Sequence, residues 1–252
     1  MLLIANGFVV PSEVWRPHSA QRMALVFGIT AAFALLGYLV GGVSRSGTVA
    51  GAAVCLALFW GAGPGAFLGL LALFGLTWAA TRTGLATKRS RGTAENRGGR
   101  SASQVLANVG LAAVAALVFA ATRERWLLLA MTAALAEPAA DTVSSECGQA
   151  FSERVFLITS LERVEPGTNG GVSLAGTLSG TLASLLVSLV CVAACGLPQK
   201  WVYAAAVAGI AGMVADSLLG AIVEQRGWLG NDAVNLLGTV VAVLVAIALE
   251  RA

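Results

Sequence analysis

The sequence predicts an all-α protein, a polytopic bundle of transmembrane helices in a single membrane domain spanning residues 1–252. Two observations carry that expectation. Of the 252 residues 57% are hydrophobic and only 12% are charged, against the ~25% charged residues usual in soluble domains. The charges are also clustered, so that residues 23–44, 46–81, 103–122, 172–199 and 233–249 contain no Asp, Glu, Lys or Arg. Most of these runs reach the ~17–25 residues that cross ~30 Å of hydrocarbon as a helix.

The helices follow in order. Residues 22–43 form the first. The run 46–81 is too long for one crossing and is divided by the turn signal Gly61-Ala62-Gly63-Pro64-Gly65, giving helices 47–61 and 65–81. Further helices are expected over 103–121, 126–140, 172–195, 201–223 and 233–249. The total is eight spans, or seven if the first segment does not cross. Backbone polar groups in lipid must be satisfied within the chain, and the ~10-residue alternating segments of a membrane barrel are missing. Small-xxx-small pairs such as Gly37/Gly41, Gly61/Gly65 and Gly176/Gly180 allow close helix approach. Residues 1–11 are apolar without a basic leader or a small-residue cleavage site, so they are expected at the interface rather than as a removed signal. Cys55, Cys147, Cys191 and Cys195 show no paired loop spacing and read as small buried residues.

Six of the sixteen basic residues, Arg82, Lys88, Arg89, Arg91, Arg97 and Arg100, lie between positions 82 and 100. The excess of positive charge places the 82–102 loop in the cytoplasm. Counting helices onward, loops 141–171 and 224–232 return to the same side, and 122–125 and 196–200 face the other. The polar segments are therefore expected to be cofacial.

Each polar segment supports a chemical reading and a plainer one. Arg97-Gly98-Gly99-Arg100 sets two guanidinium groups about a glycine pair before a helix start with Ser101 or Ser103 as cap. Such an arrangement suits a phosphate, or simply anionic lipid headgroups. Gln104 and Asn108 favour the former, since an i, i+4 polar pair inside a span needs partners. Glu137, Asp141 and Ser145 fall four apart, with Thr142 and Glu146 beside them. Carboxylates at a helix mouth suit Mg²⁺, which takes one or two carboxylates plus substrate phosphates; a solvated helix end needs no ion. Residues Gly167, Thr168, Asn169, Gly170 and Gly171 form a glycine-rich loop opening through Ser173 into a helix, either an anion cradle or a capped turn. It lacks the Gly-Lys-[Ser/Thr] end of a Walker A loop. Asp216 and Ser217 interrupt an apolar run, and Asn231, Asp232 and Asn235 open the last span. An aspartate inside a span wants a cation or a basic partner. The only histidine, His18, falls on the opposite side by this count, so a histidine base or a His-ligated metal is not expected.

Together, KxxxGxAExRGGRxxxQVLAN at residues 88–108, ADTxSSE at 140–146, PGTNGGVSLAGT at 166–177 and DSLLGA…NDAVNLLGT at 216–239 resemble an integral membrane family long catalogued as a domain of unknown function. That family includes a plant phytyl-phosphate kinase of vitamin E synthesis and is distantly similar to the dolichol and phytol kinases. The resemblance covers roughly residues 20–249. It implies phosphoryl transfer from a nucleotide, CTP or another NTP, to an isoprenyl monophosphate. On this reading Asp141, Glu146 and Asp216 hold Mg²⁺ and act as catalytic residues. Lys88, Arg97, Gly98, Gly99, Arg100, Gln104, Asn108, residues 167–171 and Ser173 hold phosphates, with Thr142, Ser145, Ser217, Asn231, Asp232 and Asn235 as further polar candidates. The expected partners are an isoprenyl monophosphate lipid, a nucleotide and membrane lipid, with no nucleic acid; a homo-oligomer is left open. The expected location is the cytoplasmic membrane with the site facing the cytoplasm. The rival reading is a transporter of an anionic or lipidic substrate, which would favour inverted repeats and polar groups at both faces.

Overall fold

The computed structural model describes residues 20–94 and 98–251. The expectations for residues 1–11, His18 and Arg97 lie outside the described residues. Among the described residues eight long helices are present: α1 (Ala20–Leu39), α2 (Arg45–Ala62), α3 (Pro64–Arg82), α5 (Ala102–Thr122), α6 (Trp126–Phe151), α7 (Leu174–Ala194), α8 (Lys200–Leu219) and α9 (Asn231–Arg251). A short α4 (Leu85–Ser90) follows α3, and a π-helical turn, Gly220–Glu224, extends α8. The expected break falls at Gly63, with Pro64 as the first residue of α3. Among the described residues seven helices are long and apolar enough to span a membrane.

The eighth long helix, α6, is the axis of the bundle. It packs against α3, α5, α7, α8 and α9, and residues 127–140 are all buried. Surrounded by protein rather than lipid, it can carry Glu137, Asp141 and Glu146 inside the bundle, where partners are at hand. This corrects the helix end expected at residue 140. The stretch 141–151 is helical, with Val143, Glu146, Gly148 and Ala150 buried and with Asp141, Ser144, Ser145 and Gln149 lining a cavity. Four of its polar residues mark that cavity.

Lipid tails are as apolar as leucine, so helices in a bilayer associate through close packing and interhelical hydrogen bonds. The α6–α7 contact shows both conditions. A Cβ on Gly176 or Gly180 would lie 2.6 Å from the Ser144 or Ala140 carbonyl oxygen, so a larger residue would push the helices apart. Between α7 and α8, Ser184 Oγ donates to the Ala206 carbonyl at 2.9 Å. The cysteines are all free, with Cys55 and Cys191 buried.

The connection from α6 to α7 contains a small antiparallel sheet that the sequence reading did not anticipate. Strands β1 (Val155–Leu157), β2 (Arg163–Val164) and β3 (Gly171–Val172) are ordered β2-β1-β3, with Val155 opposite Val164 and Phe156 opposite Val172. The sheet returns the glycine-rich segment to the end of α6. At the same end Arg91 donates to the Gln149 carbonyl at 2.7 Å, and Gln225 Nε2 donates to the Asn169 carbonyl at 2.6 Å. These bonds gather the three polar segments at one end of the bundle.

Candidate functional site

Two cavities lie at this end, and their charges are segregated. The larger, about 510 Å³, is bounded by α1, α2, α3 and α5. Arg82, Arg89 and Arg100 line it with Gln104 and Asn108, over a deeper apolar wall, and among the described residues no acidic one does. The smaller, about 260 Å³, is almost wholly polar. Asp141, Asp216 and Glu224 line it, with Ser144, Ser145, Gln149, Ser217 and Asn231 and the whole 166–171 loop; among the described residues no Lys or Arg does.

The acidic cavity is built by helix periodicity. Asp141, Ser145 and Gln149 recur every four residues and so share one face of α6. Opposite them stand Asp216, Ser217 and Gly220, where α8 passes into its π turn; such turns are frequent at functional sites. The Asp141 and Asp216 carboxyl groups lie close enough to interact. Asp216 Oδ2 is buried without a partner among the described residues. Two carboxyl groups at such spacing hold either a proton or a cation between them.

The glycine-rich loop rests on the π turn. Gly170 has φ +76°, and a Cβ there would come within 2.4 Å of Ala221. Glycine is thus required by conformation and by contact together. Ser173 caps α7, accepting from Gly176 N–H at 3.2 Å. Ser217 and Asn231 join the cavity wall, whereas Asp232 and Asn235, in the first turns of α9, do not. Asn235 instead offers its carbonyl to Thr239 Oγ1 at 2.9 Å.

The Arg100 segment is held by backbone. Arg100 N–H donates to the Gly42 carbonyl at 3.1 Å, and its own carbonyl accepts from Ser44 N–H at 3.0 Å. A Cβ on Gly99 would strike the Val43 backbone at 2.7 Å, whereas Gly98 faces open space. The Arg100 guanidinium reaches across to Thr142 Oγ1 at 3.3 Å and lies near Asp141. It therefore stands at the seam between the cationic and acidic cavities.

Three expectations change. Glu146 does not join Asp141 and Asp216: its carboxylate receives Lys88 Nζ in a buried ion pair and Thr81 Oγ1 at 3.2 Å. Lys88 is fully buried and also donates to the Ala80 and Thr81 carbonyls at 3.1 and 2.8 Å, so its three protons are consumed in tying α4 to α3 and α6. It is not among the residues lining either cavity. Gln104 is committed to a capping box with Ser101, and Asn108 Nδ2 donates to the Gln104 carbonyl at 2.7 Å. These bonds occupy Gln104 Oε1 and Asn108 Nδ2 within α5, while both side chains still line the cationic cavity.

Among the described residues no group of three or more His, Cys, Asp or Glu side chains is set to hold a metal ion. The pair Asp141 and Asp216, with the unpartnered Oδ2, nonetheless fits Mg²⁺, which characteristically takes one or two carboxylates and completes its shell with water and substrate phosphates.

Gln149 and Glu224 are site residues that the sequence reading did not select. Their signal was present in the register: Gln149 lies eight residues after Asp141, and Glu224 eight after Asp216, two turns along the same faces. Arg82 and Arg89 were read only as topology charges.

Comparison with known proteins places this architecture. The chain is 35% identical over 178 residues to an uncharacterized membrane protein of Methanocaldococcus jannaschii, covering 71% of this chain and 73% of the other. It is 34% identical over 253 residues to the chloroplastic protein VTE6 of Arabidopsis thaliana, covering 95% and 73%. An uncharacterized membrane protein of Synechocystis is 32% identical over 189 residues, covering 73% of each. No solved structure matches the chain. The family model described as integral membrane protein DUF92 matches residues 28–243, and the chain belongs to that family.

Proposed function

We propose that the protein is a nucleotide-dependent prenyl-phosphate kinase that converts an isoprenyl monophosphate to its diphosphate, with CTP as the donor, at the cytoplasmic face of the membrane. One observation carries the reading. A cavity lined by arginines and apolar side chains and a second one lined by carboxylates and a glycine-rich loop meet where Arg100 donates to Thr142, one residue from Asp141. The first matches an amphiphilic phosphate and the second a metal-bound polyphosphate.

In this mechanism Arg100 and its neighbouring arginines hold the acceptor phosphate, where guanidinium forks suit its oxygens. The 167–171 loop and the capped start of α7 hold nucleotide phosphates through backbone N–H groups. Asp141 and Asp216 would hold Mg²⁺, which when bound offsets phosphate charge. The acceptor is a phosphate monoester with a second pKa of ~6 and brings its own anionic oxygen. That oxygen attacks the terminal phosphorus of the nucleotide, the bond to the bridging oxygen breaks, and the nucleoside diphosphate departs. No general base is required. Phosphoryl transfer is largely positioning and charge neutralisation, which this set of residues can supply.

The test is purified protein with Mg²⁺, terminally labelled CTP and a prenyl monophosphate. Label is expected in prenyl diphosphate. Movement of substrate across sealed vesicles with no nucleotide consumed would overturn the kinase reading in favour of a transporter.

A further inference from the structure

The larger cavity extends well beyond the arginines that would hold a phosphate. Its lining on α3 runs from Arg82 down to Leu70, a distance of roughly 18 Å at 1.5 Å per residue. The wall over that distance is mostly apolar, with Phe33 and Phe74 packed edge to face at 5.4 Å and Val54, Leu73 and Val109 also lining it, beside Thr77. Its volume of about 510 Å³ is in the ~300–1,000 Å³ range of small-molecule sites. A headgroup alone has no use for such a floor.

The mouth is cationic in a built way. Arg82 is fixed by a hydrogen bond to the Val40 carbonyl and by stacking 5.2 Å over Trp78. The exposed Arg89 makes no side-chain hydrogen bond or ion pair among the described residues. With Arg100 opposite and no carboxylate among the described lining residues, the charge complements one anionic group attached to one apolar chain.

We propose that this cavity is the binding channel of a single-chain lipid phosphate, with Arg82, Arg89 and Arg100 at the phosphate and Gly51 setting the length of tail admitted. Gly51 lies on the cavity face of α2, and a Cβ built on it meets nothing within 4 Å. It is therefore a place where a side chain enters free space in the channel instead of colliding with a neighbouring helix. Gly47, one turn nearer the mouth, is different: a Cβ there would lie 2.1 Å from the Arg100 carbonyl oxygen, so it serves packing. A tail long enough to pass Gly51 feels a substitution there, and a short one does not. The inference rests on the prenyl monophosphate being the acceptor, and it adds the channel for the tail and a length determinant.

The test is equilibrium binding of dimethylallyl monophosphate, whose tail stops short of Gly51, and of geranylgeranyl monophosphate, whose tail passes it, to purified protein without nucleotide, for the parent and for a graded series Gly51→Ala, Gly51→Leu and Gly51→Phe. The long ligand is expected to weaken progressively, by at least about tenfold for the phenylalanine variant, the effect of one overpacked group. The short ligand should change little. Arg89→Ala should weaken both equally. Gly75→Phe is the control: Gly75 is also open, but it is exposed and does not line the cavity. If the phenylalanine variant does not fold, the leucine variant carries the comparison. Equal weakening of both ligands across the Gly51 series, or none, would overturn the assignment, as would a co-purifying diacyl phospholipid that prenyl phosphate cannot displace. Length-dependent binding in a protein that consumes no nucleotide would refute the kinase reading alone. Normal turnover with a flat Gly51 series would refute the channel alone.

Discussion

Replacing Lys88 with methionine tests whether this residue holds the fold or a phosphate. Its side chain is completely buried, that of Glu146 is 11% exposed, and the two form an ion pair. Lys88→Met preserves length and bulk but leaves the Glu146 carboxylate with only the Thr81 hydroxyl at 3.2 Å. The Ala80 and Thr81 carbonyls at the end of α3 lose a donor as well. Breaking a buried pair from one side costs about 3–5 kcal/mol, because the surviving charge stays desolvated. Removing both charges is far less harmful, so Lys88→Met/Glu146→Gln should recover about 1–3 kcal/mol of that loss. Denaturant or thermal unfolding of the four proteins in one detergent completes the cycle. The reasoning is refuted if Lys88→Met unfolds like the parent. A parental unfolding curve with weakened phosphate binding would return Lys88 to the phosphate set.

Asp216→Asn should be made in normal amount and melt normally, since its Oδ2 has no partner to lose. Turnover should nonetheless fall by roughly 10²–10³-fold, as when a group aimed at the transition state is removed, and residual activity should demand more Mg²⁺; near-parental activity would reduce Asp216 to a packing residue. Gly170→Ala must force a Cβ against Ala221 from a positive-φ position. It should cost about 1–3 kcal/mol and impair nucleotide-dependent turnover, while Gly98→Ala, which faces open space, should be silent in both assays. Single cysteines at Ser90, Ser160 and Arg226 should all react with an impermeant reagent from the same side of a sealed vesicle. Opposite labelling of one would separate loops that the hydrogen bonds of Arg91 and Gln225 bring together.

The membrane class, the eight long helices and the break before Pro64 were legible in the sequence because each depends on local properties. An uncharged run of sufficient length partitions into hydrocarbon whatever its neighbours are, and a glycine-proline turn ends a helix wherever it occurs. The grouping of the polar segments at one end follows from the same counting. The packing role of the spaced glycines was also readable, as Gly176 and Gly180 against α6 confirm.

What only the tertiary structure decided was who partners whom. Lys88 and Glu146 are separated by 58 residues, and Arg100 and Thr142 by 42. A buried charge must be compensated, but composition does not say by which group. Glu146 and Asp216 thus look equivalent as acidic residues beside apolar spans, yet one is consumed by a lysine and the other keeps an unpartnered oxygen beside Asp141. The end of α6 was misread for a related reason: Asp141 and Ser145 signal a loop if lipid lies outside, and a cavity wall if other helices do. Whether a helix faces lipid or protein is set by packing across the whole bundle, and that packing made two charge-segregated cavities out of loops the sequence could only place side by side.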